Sequence, residues 1–220
     1  MKAMILSAGF GTRLKPLTDT TPKALIPYQG KPLIVHQIIK LKAAGITEIV
    51  VNVHHLKEKI IEFFNTNNFG VRIQISNEDE ILGTGGGIIN AEKFLKNESF
   101  FLVLNADIIS DVNIRLFTRT YALSDLAILA AQKRKTSRYL EFDERMYLKG
   151  RANEKSPEKL LYAFNGMHLI SKKIFQLGYK AEFKDIIDIY TEQIAHGAKV
   201  KGYDVGSASF KDIGKKENLE

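Results

Sequence analysis

Two glycines and two cations near the N-terminus are the first residues whose types and spacing could do chemistry. Gly9 and Gly11 follow a short apolar run, and glycines let backbone N–H groups converge on a phosphate. Arg13 and Lys23 come next, and four of the chain's five prolines lie between residues 16 and 32. Each proline fixes its own φ and restricts the residue before it, so this loop is stiff. A stiff cationic loop beside a glycine turn suits a ligand with several phosphates.

The two common phosphate-binding loops do not fit this stretch. The dinucleotide fingerprint needs a third glycine that opens a helix, whereas here the residues RLKP follow the turn. The pattern G-x-x-x-x-G-K-[ST] of the P-loop is absent as well. From the residues alone, a proline-rich surface connection with solvated charges remains an open alternative.

Two further groups of residues could contribute to the same site. Residues 82–87 read LGTGGG, which suits either a loop that approaches a ligand closely or a simple loop before a helix. Asp107 comes shortly after residues 100–104, FFLVL, the most apolar run of the chain. Ligands bind at the carboxyl ends of strands in open parallel sheets. An aspartate there is well placed to bind Mg²⁺.

The elements that must position these residues alternate between strand and helix. Alternation of this kind indicates βαβ units and a largely parallel sheet covered on both faces. We expect one α/β domain with an irregular, partly antiparallel second half. The predicted strands are 3–6, 46–53, 71–76, 100–104, 126–131 and 160–169 with a hairpin at 139–149, and the predicted helices are 32–44, 56–64, 88–95, one near 174 and 185–196.

Composition narrows the classes of partner. The chain has 220 residues, a net charge of +7 and no cysteine, which excludes disulfides and thiolate metal sites. It has no apolar run near the roughly 20 residues that cross a bilayer, and no signal-peptide pattern. The lysines are dispersed and not interleaved with aromatics, which argues against nucleic acid and for small phosphorylated ligands. We therefore expect a cytoplasmic protein with no nucleic acid and no membrane partner.

The stretch GFGTRLKPLTDTTPKALIP closely resembles the signature of the sugar-1-phosphate nucleotidyltransferases, G-x-G-T-R-L-x-P-L-T followed by P-K-x-L-x-P. The likeness extends more weakly through most of the chain. It implies a Rossmann-like three-layer αβα fold with a mixed, mostly parallel central sheet. It also implies transfer of a nucleoside monophosphate from an NTP to a sugar 1-phosphate, with release of pyrophosphate and Mg²⁺ as the cofactor. The overall pattern resembles that of short members such as N-acetylmuramate-1-phosphate uridylyltransferase and the heptose and mannose guanylyltransferases. We therefore expect residues 1–220 to form one catalytic domain without a C-terminal β-helix.

The resemblance also implies roles for individual residues. Arg13 would hold the β- and γ-phosphates, Lys23 the α-phosphate, and Asp107 the metal. The remaining residues that it assigns to the nucleotide are Ala8, Gly9, Gly11, Thr12, Glu78, Gly83 and Thr84.

For the second metal ligand, the family uses the aspartate of [WY]-x-D-[IV]-G-T. Residues 202–207 read GYDVGS, which suggests Asp204, although the aromatic residue is displaced by one position. Ala106 also departs from the family's glycine before Asp107. The residues expected to bind the sugar phosphate are Glu154, Lys155, Asn165 and Gly166, with Ser156 as an insertion in the first motif.

Two other functions remain as alternatives. Cytidylyltransferases that act on phosphocholine share the N-terminal signature, but they lack the LGTGGG segment. A non-catalytic regulatory protein that binds nucleotide sugars could use the same fold, but such proteins tend to lose the charged residues that are kept here. The base, the sugar and the oligomeric state are not indicated by the sequence.

Overall fold

The computed structural model describes residues 1–152 and 158–219. Its strands are β1 Ala3–Leu6, β2 Pro27–Tyr28, β3 Lys31–Pro32, β4 Glu48–Val53, β5 Arg72–Asn77, β6 Phe100–Asn105, β7 Ile108–Ser110, β8 Asp125–Gln132, β9 Tyr139–Phe142, β10 Leu148–Arg151, β11 Leu160–Ser171, β12 Lys199–Asp204 and β13 Phe210–Asp212. Its α-helices are α1 Leu17–Thr20, α2 Leu33–Ala43, α3 Lys57–Thr66, α4 Gly83–Asn90, α5 Glu92–Leu95, α6 Ile114–Phe117 and α7 Ile186–Ala195.

The central sheet is mixed and parallel in its core. Strands β5, β4, β1 and β6 lie side by side and run parallel. The long strand β11 then pairs antiparallel with β6, β8 and β9, and β12 pairs parallel with β8. The predicted α/β fold with an antiparallel contribution from the second half is therefore confirmed.

Apolar side chains cover both faces of this sheet. Strand β6 shows the alternation that strands require, because Leu102 and Leu104 pack into one hydrophobic cluster while Phe101 and Val103 pack into the other. The first cluster includes Ile34 and Ile38 of α2, and the second includes residues of α4 and α7. The three-layer arrangement that the resemblance implied is present. No helix among the described residues is long and apolar enough to cross a membrane.

Several elements differ from the sequence-based expectation. The helix predicted from residue 88 begins at Gly83, so the glycines of LGTGGG lie inside α4. The helix predicted near residue 174 is a 3-10 helix, Lys172–Gln176. After β12 the chain forms another strand, β13, which pairs antiparallel with β7. This last pairing brings the C-terminal segment back to the carboxyl end of β6.

Candidate active site

A cleft opens at the carboxyl ends of β1 and β6 and consists of two adjoining cavities. The smaller, about 190 Å³, is lined by the turn after β1 together with Lys23, Asn52 and Gly83. The larger, about 780 Å³, extends towards β11 and the C-terminal segment. Both are lined by Leu6, Thr84, Asn105 and Asp107. We call them the small cavity and the large cavity.

The glycine turn after β1 is held by hydrogen bonds of its own backbone. Gly11 has a φ of 65°, a left-handed conformation that favours glycine. Its carbonyl accepts hydrogen bonds from Leu14 N, at 2.8 Å, and from Thr18 Oγ1, at 2.9 Å. Ala8 and Gly9 line the small cavity, whereas Gly11 and Thr12 shape the turn and do not appear in the wall of either cavity.

Lys23 and Asp107 meet where the two cavities join. Lys23 begins a short 3-10 helix, Lys23–Leu25, directly after Pro22. Its Nζ forms an ion pair with Asp107 Oδ2, and both side chains are mostly buried. The strand-end aspartate and the loop lysine predicted from the sequence are therefore neighbours. A lysine so close to a carboxylate can exchange that partner for a phosphate oxygen.

Asp212 is the second carboxylate at this position. Strand β13 places Asp212 opposite Ile108, one residue beyond Asp107, and Ile213 N donates to the Asp107 carbonyl at 2.9 Å. Asp212 Oδ2 lies 3.5 Å from Arg13 Nη1. A Cβ added at Gly214 would lie 2.5 Å from Lys23 Nζ and 2.7 Å from Arg13 Nη2. The C-terminal segment thus pairs Asp212 with Arg13 and places Gly214 next to both cations of the N-terminal loop.

Asp204, expected as the second metal ligand, lies elsewhere. It is exposed and ends β12, which is separated from β6 by β8 and β11. Its carboxylate accepts from Tyr162 Oη at 3.2 Å and from Gly206 N at 2.9 Å, and it lines a separate hollow with Asp111. The structure does not bring Asp204 to Asp107.

The signal for Asp212 was present in the sequence. Residues 210–214 read FKDIG, which keeps an aromatic residue two positions before the aspartate, with Phe210 where the motif has Trp or Tyr. Residues 203–206 match only the second half of the motif. The spacing of the aromatic residue therefore favours Asp212 already in the sequence, and the pairing of β13 with β7 places Asp212 beside Asp107.

Glu78 supports the small cavity from behind. Its side chain is buried, with 1% of the residue exposed. Oε1 accepts from Asn52 Nδ2 at 2.7 Å, and Oε2 accepts from Leu82 N at 3.1 Å. Burial raises the pKa of this carboxyl, although the two hydrogen bonds oppose the rise. Asn52 also accepts from Ser7 N at 2.7 Å, so Glu78 braces the glycine turn and is absent from the cavity walls.

The LGTGGG segment both lines the small cavity and packs closely against another part of the chain. Gly83 and Thr84 line the small cavity, in the place expected for nucleotide contacts. The following glycines are buried against the loop before α7. A Cβ on Gly86 would collide with the Glu182 carbonyl, and Gly85 N donates to the Lys184 carbonyl at 2.8 Å. Close packing of two segments therefore requires these glycines independently of any ligand.

The wall of the large cavity is built around Arg134, which follows β8. Its Nε donates to Asn165 Oδ1 at 3.0 Å, and its Nη2 donates to the Phe164 carbonyl at 2.9 Å. The guanidinium lies 3.5 Å from the ring centroid of Phe210, and burial lowers its pKa. Of the two residues expected to bind the sugar phosphate here, Gly166 lines the cavity, whereas Asn165 is buried and holds Arg134 in place. Glu154 and Lys155, also expected to bind the sugar phosphate, lie outside the described residues.

Comparison with solved structures identifies the fold. HddC from Yersinia pseudotuberculosis, complexed with GMP-PN, superposes with a TM-score of 0.83 at 24% identity, covering 99% of this chain and 96% of that chain. A putative glucose-1-phosphate thymidylyltransferase from Bacillus anthracis also superposes with a TM-score of 0.83, at 23% identity, covering 100% of this chain and 92% of that chain. The chain therefore shares its fold with these proteins.

Comparison with curated sequences identifies relatives. The mannose-1-phosphate guanyltransferase of Aspergillus fumigatus is 47% identical over 114 residues, covering 50% of this chain and 31% of that protein. The corresponding Candida albicans protein is 46% identical over 114 residues, covering 50% of this chain and 32% of that protein. The matched part of this chain therefore spans about a third of the length of these curated relatives. The family model described as nucleotidyl transferase matches residues 2–219. On this match, the chain belongs to the nucleotidyl transferase family.

Proposed function

We propose that the protein transfers a nucleoside monophosphate from an NTP to a sugar 1-phosphate, giving an NDP-sugar and pyrophosphate. One observation carries this proposal: a small cavity behind a glycine turn and a larger cationic cavity adjoin at Lys23 and Asp107. Two cavities that meet at a cation and a carboxylate suit two phosphorylated substrates that react with each other. The Ala8 and Gly9 backbone, with Gly83 and Thr84, would hold the nucleotide.

The chemistry requires positioning and charge neutralisation. An oxygen of the sugar phosphate attacks the α-phosphorus and forms the new P–O bond, while the bond to the β-phosphate oxygen breaks and its electron pair leaves with pyrophosphate. The attacking oxygen is already anionic, so no base is needed. Lys23 would neutralise charge at the α-phosphate, and Arg13 would grip the departing phosphates with its planar fork.

We further propose that Asp107 and Asp212 hold Mg²⁺. The pairing of β13 with β7 and the hydrogen bond from Ile213 N to the Asp107 carbonyl bring the backbones of the two aspartates next to each other. Two carboxylates combined with substrate phosphates are the ligand set that Mg²⁺ commonly takes in proteins. When bound, this ion would orient the phosphates and offset the charge that develops on them. Asp212 takes the role in this proposal that the sequence had suggested for Asp204.

The names of the relatives guide the choice of substrates. The curated relatives are mannose-1-phosphate guanyltransferases, and a structural neighbour was solved with GMP-PN. We therefore propose GTP and mannose 1-phosphate as the first pair to test. The reaction would take place in the cytoplasm, where nucleoside triphosphates are supplied, with no nucleic acid or membrane partner.

A pyrophosphate-release matrix tests the proposal. Each of ATP, GTP, CTP and UTP is combined with mannose, glucose and N-acetylglucosamine 1-phosphates, and with phosphocholine. We expect release only when an NTP and a sugar 1-phosphate are both present. Release with CTP and phosphocholine alone would favour a cytidylyltransferase, and tight nucleotide binding without any release would favour a regulatory protein.

A further inference from the structure

His168 is a buried titratable side chain that the proposed reaction does not yet use. It lies on β11 and, with Phe164 and Gly166, lines the large cavity. Only 1% of the residue is exposed. Asn165 lies between these positions but does not line the cavity. His168, and not the amide that the sequence suggested, is therefore part of the wall of the large cavity.

One ring nitrogen of His168 is engaged inside the protein. Nδ1 lies 2.8 Å from the hydroxyl of Tyr190 on α7, and Tyr190 is fully buried. Among the described residues, His168 Nε2 has no hydrogen-bond partner. Because His168 lines the large cavity and Nδ1 is engaged by Tyr190, Nε2 is the ring nitrogen left to contact a ligand there.

The surroundings also determine which nitrogen carries the proton. Burial lowers the pKa of His168 to about 3, so the ring is neutral at pH 7 and has one N–H. Burial also raises the pKa of Tyr190, so its hydroxyl keeps its hydrogen. Within the described residues, His168 Nδ1 is the acceptor available to that hydroxyl. A buried hydroxyl without an acceptor is costly. Tyr190 therefore donates to Nδ1, and the proton of His168 sits on Nε2.

We propose that His168 is a specificity-determining residue that donates a hydrogen bond from Nε2 to an uncharged oxygen of the acceptor sugar. A hydroxyl, ring or acyl carbonyl oxygen would meet this requirement. Arginines and lysines in the same wall suit the phosphate of the acceptor, whereas a neutral donor suits the uncharged ring. The inference rests on the proposed function, because it needs a sugar phosphate in the large cavity.

Steady-state kinetics of two variants test this role. His168→Asn keeps a polar group near the position of Nδ1 but cannot reach the cavity, and His168→Phe keeps the ring volume without any hydrogen bond. We expect each variant to raise the KM for the sugar 1-phosphate roughly tenfold and to leave the KM for the NTP unchanged. His168→Gln, whose amide nitrogen can take the place of Nε2, should recover part of the loss. Met167→Leu, on the opposite face of β11, serves as the control for packing.

Deoxy analogues of the sugar 1-phosphate identify the oxygen. Removal of the contacted oxygen should raise the KM for the sugar 1-phosphate about tenfold in the wild type. The same removal should not raise it further in His168→Phe. An unchanged acceptor KM in both variants, or equal rises in both KM values, overturns the inference and leaves the proposed function standing. A wild-type enzyme that turns over no sugar 1-phosphate overturns the proposed function, and the role of His168 with it.

Discussion

The two cavities of the cleft are built from different parts of the chain and from different chemical groups. The small cavity is lined mainly by small residues between positions 6 and 107, and Lys23 is the cation in its described wall. The large cavity is lined by long cationic side chains that include Arg134, Arg138 and Arg151, and its walls extend to residue 218. The first suits a ligand held by fixed N–H groups, and the second suits one held by charge.

This difference indicates how each cavity could vary. Backbone groups in a tight turn have little freedom, so the small cavity can hold phosphates in one geometry. Side chains of a cationic wall can change without altering the sheet, so the large cavity is where acceptor preference can diverge between related proteins. Asp107 and Lys23 belong to the junction, and loss of either should affect both substrates.

The largest effect should follow loss of the cation at that junction. Lys23→Ala removes the positive charge beside the α-phosphate, and removal of one such group lowers kcat by roughly 10²–10³-fold. Pyrophosphate release under saturating substrates measures the effect, and thermal unfolding checks that the fold is retained. Lys15→Ala is the matched control, since Lys15 lies on the same loop, exposed and paired with Asp19. Comparable turnover in both variants would remove Lys23 from the mechanism.

The next prediction distinguishes the two aspartates of the C-terminal region. Asp212→Asn should raise the Mg²⁺ concentration needed for half-maximal rate by roughly 10–100-fold, because residues that merely support metal ligands already have effects of that size. Asp204→Asn should leave the Mg²⁺ requirement unchanged, since Asp204 bonds to Tyr162 and Gly206. Titration of activity with Mg²⁺ in both variants gives the comparison. If only Asp204→Asn shifts the Mg²⁺ requirement, the second metal ligand is Asp204 of β12 and not Asp212.

A third prediction concerns the pH dependence of stability on the acceptor side. The pKa of His168 is about 3 in the folded protein and near 6.5 when the chain is unfolded. Because the pKa of His168 is lower in the folded protein, the stability that it contributes is fully present above the unfolded pKa. This stability is lost as the pH falls below that value. Between pH 7 and pH 5 the wild type should lose about 2 kcal/mol more free energy of unfolding than His168→Gln. Urea unfolding at both pH values measures this, and equal losses would show that His168 is protonated in the folded state.

The same contrast explains which parts of the site could be predicted from the sequence. Lys23 and Asp107 were predictable because local signals identify them, a proline-bounded loop and the end of an apolar strand. Asp212 and Asp204 each sit in a partial match to the same motif; the aromatic spacing favours Asp212, but its position beside Asp107 depends on the long-range pairing of β13 with β7. The supporting role of Glu78 behind the small cavity could not be predicted, because it depends on hydrogen bonds to Asn52 and Leu82 that form only in the folded protein. Nor does the sequence show that His168 meets Tyr190.

The smallest predicted effect tests whether the cationic wall also positions the metal ligands. Arg134 contacts the Phe210 ring, and Phe210 begins the strand that carries Asp212. Arg134→Lys keeps the charge but loses the planar contact and the two directed hydrogen bonds. We expect about a tenfold loss in kcat/KM, since a desolvated contact of this kind stabilises by about 1–2 kcal/mol, together with a higher Mg²⁺ requirement. Arg145→Lys, on the exposed turn between β9 and β10, is the control. A loss of acceptor affinity without any change in the Mg²⁺ titration would mean that Arg134 binds the acceptor and does not position Asp212, and the two halves of the cleft would then be independent.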